Sequence, residues 1–272
     1  MHLQGVGEPL LNRDLPKMIV AAGSSGARVG TSTNASLLTR ETASALLDAG
    51  INCINLSLDT IDPLVFKKLR SGSSVTKVIS NISSLADLRC KTRYPDTALA
   101  IAVVATPQAL DSLPAIVQLA ANLGLDEVYV QNLNSGFLPE NSHELQQLRS
   151  IDPEKYRQAI RTAGLTADNA GIRFLAPDID YTDPSYRCRW PFHGCNITWD
   201  GFVSPCCLQP DPDVLHFGNL FETAFEKIRD SVSYRDFRDR VKADREPLCA
   251  ACPDRYGRMW HPAANPFAGV QP

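Results

Sequence analysis

No run of about 18 consecutive apolar residues occurs in the sequence, so a membrane-spanning helix is not expected. The chain does not open on a positive segment followed by an apolar core, and Met1-His-Leu-Gln-Gly-Val-Gly-Glu8 is no secretory signal. An excess of positive charge is also missing. Lys and Arg number 27 against 30 acidic residues, a formal net charge of −3, which gives no footprint for nucleic acid and no polybasic patch for a membrane. The one Arg-rich stretch (Arg235, Arg238, Arg240) alternates with Asp236 and Asp239 and reads as a solvated helix face. Neither a fixed-period repeat nor a low-complexity tract is present. Cysteine is scarce before residue 188, where only Cys53 and Cys90 occur.

What the chain does contain is a cysteine cluster. Six of the eight cysteines lie between Cys188 and Cys252: Cys188, Cys195, the pair Cys206-Cys207, and Cys249-Ala-Ala-Cys252. A CxxC pair plus distant cysteines is how a chain gathers thiolates around one metal centre. With no secretion signal, these cysteines read as reduced metal ligands in a cytoplasmic protein rather than as a disulfide framework. Ile197-Thr-Trp199 and Phe202-Val203 flank Asp200-Gly201, so a tight β-hairpin is expected just before Cys206. Spacing alone leaves zinc and iron–sulfur open. Trp190, Phe192 and Trp199 are expected to pack around this module, and His193 and His216 to be surface or packing residues. Cys53, in an apolar strand, reads as a small hydrophobe.

At 272 residues, 44% of them hydrophobic, the chain has room for a medium domain and a small one. Its first half alternates short apolar strands with amphipathic helices. Strands are expected at 2–7, 28–33, 53–57, 98–104, 128–131 and 172–175. Helices are expected at 15–22 behind an Asp14 cap, at 40–47 behind Thr39, and at 63–69, 75–88, 110–123 and 154–163. Such alternation implies parallel strands with helical crossovers, either in a (β/α) barrel or in an open doubly wound sheet. A linker at 177–184 leads into the cysteine module, which should carry one helix ending at Arg229 and another over 233–242.

Ligands of parallel α/β folds gather at the C-terminal ends of strands. Those ends read Gly5-Val-Gly7-Glu8-Pro9, Thr33-Asn34, Ser57-Leu-Asp59 and Gln131-Asn132. Glycines let a ligand approach the backbone, and Glu8 is placed to accept from a cationic amine.

Gly5-Val-Gly-Glu-Pro-Leu-Leu-Asn12, Ser32-Thr-Asn-Ala35 and Ile54-Asn-Leu-Ser-Leu-Asp59 resemble successive strand-end motifs of the radical S-adenosylmethionine (radical SAM) superfamily. The pattern Cys188-x12-Gly201-x4-Cys206, then Phe217-Gly-Asn-Leu220, then Cys249-x2-Cys252 resembles that superfamily's SPASM extension. The resemblance implies an α/β fold: a partial (β/α)6 TIM-like barrel lacking its first βα unit over 1–180, a small Cys-rich α+β SPASM-type domain over 181–262, and a flexible tail over 263–272. It implies that Gly5, Gly7 and Glu8 meet the methionyl amine of S-adenosylmethionine, and that Asn34, Ser57 and Asp59 meet its ribose or carboxylate. Cys188, Cys206, Cys249 and Cys252 would ligate an auxiliary 4Fe-4S cluster. Cys195 and Cys207 fall outside the best-fitting spacing.

One family feature is missing. The superfamily's Cys-x3-Cys-x2-Cys loop, which binds the cluster that cleaves S-adenosylmethionine, is absent, and no two cysteines have the x3 spacing. A second 4Fe-4S cluster is therefore expected only in a longer form of the protein, and the favoured expectation is an N-terminally truncated enzyme. The intact enzyme would form a 5′-deoxyadenosyl radical to abstract hydrogen from a peptide, protein or small-molecule substrate, with flavodoxin or ferredoxin as electron donor. The alternatives are a non-catalytic module stabilised by iron–sulfur or zinc, and a generic barrel enzyme using Glu8 and Asp59 as an acid/base pair.

Overall fold

The computed structural model describes residues 1–5, 7–70, 72–91, 94, 96–131, 151–180, 188–250 and 252. The described residues up to Ala176 form one compact unit, and those from Pro177 onward form a second.

The first unit opens with a single 3-10 turn, Pro9–Leu11. It continues through α1 (Leu15–Ser24), β1 (Gly30–Thr33), α2 (Arg40–Asp48), β2 (Cys53–Ser57), α3 (Pro63–Leu69), α4 (Val75–Lys91), β3 (Ala98–Val104), α5 (Pro107–Asn122), β4 (Glu127–Gln131), α6 (Pro153–Ala170) and β5 (Arg173–Leu175). All four strand pairings are parallel, and the spatial order β1-β2-β3-β4-β5 repeats the chain order. A doubly wound sheet reverses its order at a switch point; this one never does, which is the arrangement of a (β/α) barrel.

Side chains alternate across the sheet. Ile54, Leu56, Leu99, Ile101, Val103, Val128 and Val130 are buried and apolar on one face. The register aligns Ser32, Asn55, Ala100, Glu127 and Arg173 in one row on the other face.

The expected strand over 2–7 is reduced to a parallel bridge between His2 and Gly30. Leu3 N–H donates to Gly30 O at 2.8 Å and Gly30 N–H to Met1 O at 3.0 Å, after which the chain leaves the sheet at the exposed Gly5. Asp14 stands at the α1 N-cap but caps nothing; its carboxylate pairs with Lys17 at 2.7 Å. Thr39 does cap α2, accepting from Thr42 N–H at 3.3 Å. α5 begins three residues before the expected start, with Thr106 as cap and Pro107 in its first turn. α6 runs seven residues past the expected end to Gly171, at φ 66°. Gly164 does not stop it; a Cβ added there would lie 4.0 Å from the Phe174 ring of β5. Among the described residues no helix is long and apolar enough to cross a membrane.

The second unit contains α7 (Trp190–His193), the antiparallel pair β6 (Asn196–Ile197) and β7 (Val203–Ser204), α8 (Phe225–Arg229), α9 (Val232–Lys242) and α10 (Pro247–Ala250). The hairpin exists, but its loop is not the two-residue Asp-Gly turn. Thr198 N–H donates to Phe202 O at 2.9 Å, leaving Trp199, Asp200 and Gly201 as a three-residue loop. Gly201 has φ 90°, the left-handed residue such loops require. This shift puts Trp199 at the tip, 93% exposed, so the expectation that it packs on the module fails. Phe192 does pack there, and His216 meets the Phe202 ring edge-on at 4.8 Å. The core of the unit is Val203, Phe217, Ile228, Tyr234, Phe237 and Val241. Of the expected boundaries, the tail at 263–272 and the second half of the 177–184 linker lie outside the described residues.

Candidate functional site

The carboxylates at the strand-end rim hold the rim together. Glu8 Oε1 accepts from Leu10 N–H at 3.1 Å and from the Thr33 hydroxyl at 2.7 Å, and Oε2 accepts from Asn34 N–H at 2.8 Å. Three donors thus occupy the group expected to receive an amine. Asp59 is similarly engaged: Oδ2 pairs with Arg70 at 2.8 Å, and Oδ1 accepts from Val104 N–H at 2.8 Å, tying the end of β2 to the end of β3. Each carboxylate serves its own set of donors, which argues against the acid/base pairing of Glu8 with Asp59.

Gly5 and Gly7 stand in open space. A Cβ built on either would meet nothing within 4 Å, and neither has a positive φ. The fold does not demand glycine there, whereas close approach of a ligand would. Ser57 ends β2 half-buried, with no hydrogen bond from its hydroxyl to the described residues. Next to the rim lies a cavity of about 330 Å³ lined by Asn34, Ser36, Phe66, Arg70 and Ser73 among others. Asn34 Oδ1 accepts from Ser36 N–H at 2.9 Å, and Ser73 Oγ is buried without a hydrogen-bond partner. Arg70 supplies the cation of this wall and was not singled out from the sequence. It follows α3 and folds back 11 residues to Asp59, a relationship that no local pattern announces. Polar walls, a guanidinium and an unpaired buried oxygen suit a small ligand bearing a carboxylate and hydroxyls.

In the interior row, burial raises the Glu127 carboxyl above its usual range, outweighing Arg173 beside it. The Cys53 thiol is pushed up to about 11 by burial and by the nearby Glu127 charge. These groups sit at the N-terminal ends of β4 and β2, the end of a barrel associated with stability.

In the second unit the cysteines collect at the open end of the hairpin and at the CxxC turn. Cys195 immediately precedes β6, and Cys206 follows β7 by two residues. Burial is the main cause lifting the Cys206 thiol to about 12, and the neighbouring Cys207 and Cys252 add to it. The N–H groups of Leu208 and Gln209 point at its sulfur, as backbone does around a metal-bound thiolate. Cys249 and Cys195 both pack against the aromatic core. Cys252 N–H donates to Cys249 O at 3.2 Å, closing the CxxC turn. Glu246 anchors this turn to α9 by accepting from Arg240 at 2.8 Å. It too was missed, since its role depends on two helices meeting. Cys188 is half-buried just before α7, and Cys207 is exposed. Among the described residues, no three His, Cys, Asp or Glu side chains converge closely enough to hold one ion. All-sulfur donors, a CxxC turn and amides aimed at Cys206 nonetheless fit an iron–sulfur cluster.

Residues 2–104 match the family model of the Radical SAM superfamily, and residues 188–253 match SPASM, an iron-sulfur cluster-binding domain. A probable GTP 3',8-cyclase of Methanococcus maripaludis (strain C6) is 26% identical over 254 residues, covering 90% of this chain and 78% of that protein. Streptococcus suis SuiB, in its structure bound to the precursor peptide SuiA, aligns with a TM-score of 0.67 at 17% identity, over 85% of this chain. This chain spans 54% of SuiB, about half its length. The native anSMEcpe structure with bound AdoMet aligns with a TM-score of 0.64 at 14% identity, over 87% of this chain and 67% of that one.

Proposed function

As a member of the radical SAM superfamily carrying a SPASM domain, this chain, we propose, binds S-adenosylmethionine at its strand-end rim and an auxiliary 4Fe-4S cluster in its C-terminal unit. The observation that carries the reading is the rim cavity of about 330 Å³ walled by Arg70 and Asn34. The Arg70 guanidinium, held by Asp59, would take the methionyl carboxylate, with Ser57 beside it. The exposed backbone of Gly5 and Gly7 would receive the amine, and Asn34 would meet the ribose. Glu8 would support the amine site mainly by fixing the rim, having one free acceptor position after its three internal bonds. Cys188, Cys206, Cys249 and Cys252 are proposed as ligands of the auxiliary cluster, which when bound would supply one-electron chemistry.

Formation of a 5′-deoxyadenosyl radical is proposed only together with a Cys-x3-Cys-x2-Cys loop and its own cluster, since the 272 residues contain no such loop. The substrate class proposed is a peptide or protein, by analogy with SuiB; a small molecule is the alternative, by analogy with the cyclase. Reduced ferredoxin or flavodoxin is the proposed electron donor. The proposed compartment is the cytoplasm, where a reducing medium keeps thiolates available to a cluster.

Equilibrium binding of S-adenosylmethionine to the anaerobically reconstituted protein tests the reading. Saturable binding that Arg70→Ala weakens supports it, and no binding by the wild type overturns it.

A further inference from the structure

Charge in the C-terminal unit is divided along the chain. From Asn196 to Glu226 there are five acidic residues and no Lys or Arg, whereas from Lys227 to Lys242 six cations stand against three acids. Arg and Asp alternate in the second stretch, but the helix separates them. Residues three and four apart share a helix face. Arg235, Arg238 and Lys242 therefore form one stripe along a flank of α9, beside the face that buries Tyr234, Phe237 and Val241. Asp236 and Asp239 lie on the outward side. Arg240 lies on the opposite flank, where Glu246 accepts from it at 2.8 Å.

The stripe is presented rather than neutralised. Arg235 and Lys242 are exposed. Arg238 is propped over the Tyr234 ring, 4.4 Å from its centroid, and donates to Arg229 O. Among the described residues no carboxylate forms an ion pair with Arg235 or Arg238, and Lys242 reaches Asp239 only at 3.9 Å. Asp230 feels both arginines but is already engaged by Arg229, at 3.0 and 3.1 Å. Val232, exposed in the first turn, adds an apolar point at the start of the helix. The buried face of the same helix belongs to the core against which Cys195 and Cys249 pack. A helix is about 10 Å across, so the stripe stands close to those two cysteines.

We propose that Arg235, Arg238 and Lys242 form the docking surface for an acidic electron-carrier protein of the flavodoxin kind. Such encounters are small and weak, and charge complementarity sets their orientation and rate. The cation-free stretch from Asn196 to Glu226 repels an acidic carrier and α9 attracts it, so one unit supplies both signs of steering. The destination of the electron rests on the cluster reading above; the docking surface does not. One electron leaves the reduced carrier and enters the cluster, and no bond is made or broken.

The experiment measures binding of oxidised flavodoxin to the full chain by its flavin fluorescence, from low to high salt. The wild type should bind, with affinity falling as salt rises. Arg235→Glu with Lys242→Glu, two changes at exposed positions, should weaken binding about tenfold or more at low salt, with the difference fading at high salt. Lys17→Glu with Lys91→Glu makes the same change in net charge on the first unit and should bind like the wild type. No binding by the wild type, or equal losses in the two double variants, overturns the proposal. If the α9 Glu pair fails to fold, Arg235→Gln with Lys242→Gln removes the charge alone and should give a smaller loss; no loss overturns the proposal. After anaerobic reconstitution, the α9 variant should be reduced slowly by reduced flavodoxin and normally by photoreduced deazaflavin, a small reductant. Equal slowing by both overturns the electron route. A wild-type chain that binds flavodoxin but holds no iron would instead refute the cluster reading and leave the docking surface standing.

Discussion

The Glu8 carboxylate and the Thr33 hydroxyl meet at 2.7 Å across 25 residues of chain, joining the turn after the first glycines to the end of β1. With the Leu10 and Asn34 amides on the same carboxylate, this contact makes the rim a closed hydrogen-bonded unit. Glu8→Ala should cost on the order of 1–3 kcal/mol, because it strands partly buried donors. Thr33→Val should cost about 1 kcal/mol, and less in the Glu8→Ala background, since both remove the same bond. Urea unfolding of the four proteins reads the coupling; strict additivity would mean the contact carries no energy.

Arg70 faces the rim cavity and is held by Asp59 at 2.8 Å. Arg70→Ala should weaken S-adenosylmethionine binding tenfold or more, on the scale of about 1.5–3 kcal/mol for a hydrogen bond to a charged group. Arg70→Lys should recover part of the affinity, because it restores charge but not the planar fork. Isothermal titration checks both, and wild-type affinity in Arg70→Ala would remove the residue from the site.

Glu127 predicts a pH dependence. Its carboxyl is raised by burial despite Arg173, so the folded chain holds its proton to higher pH than the unfolded chain does. Its contribution to stability is therefore full below the unfolded carboxylate value and is lost as pH climbs through the raised folded value. Glu127→Gln should be more stable than wild type at neutral pH, with the difference vanishing in acid. Thermal melts across pH test this, and a variant less stable at neutral pH would mean that the Arg173 contact outweighs the burial.

The barrel half of the chain was readable where local signals and tertiary packing agree. Leu99 to Val104 form an apolar run, and Gly50 and Gly124 close the preceding helices at positive φ. The rim motifs were visible because a strand end and its loop are adjacent in sequence. Arg70 and Glu246 were not, since each acquires its role by folding back onto another element. The helix expected to end at residue 163 continues through Gly164 to Ala170, with Gly171 at positive φ as its C-cap. Trp199 was misplaced by a one-residue error in the hairpin loop, enough to turn a packing residue into an exposed one.

Gly201 gives a prediction confined to the C-terminal unit. It has φ 90°, and a Cβ there would lie 2.6 Å from Asn219 Oδ1, the atom that accepts from Phe221 N–H at 2.8 Å. Gly201→Ala should cost on the order of 1–3 kcal/mol through backbone strain, and should lower iron loading while leaving S-adenosylmethionine binding intact. Parallel metal and ligand assays separate the two effects; unchanged iron content would show that the hairpin does not shape the cysteine site.

The central claim is that the C-terminal cysteines hold an iron–sulfur cluster. Anaerobic reconstitution followed by iron, sulfide and zinc counts and an absorption spectrum tests it most directly. The account predicts about four irons and four sulfides per chain with broad charge-transfer absorption, all lost in the Cys249→Ala, Cys252→Ala double variant. One tightly held zinc with no such absorption would contradict it and leave a structural metal module in its place.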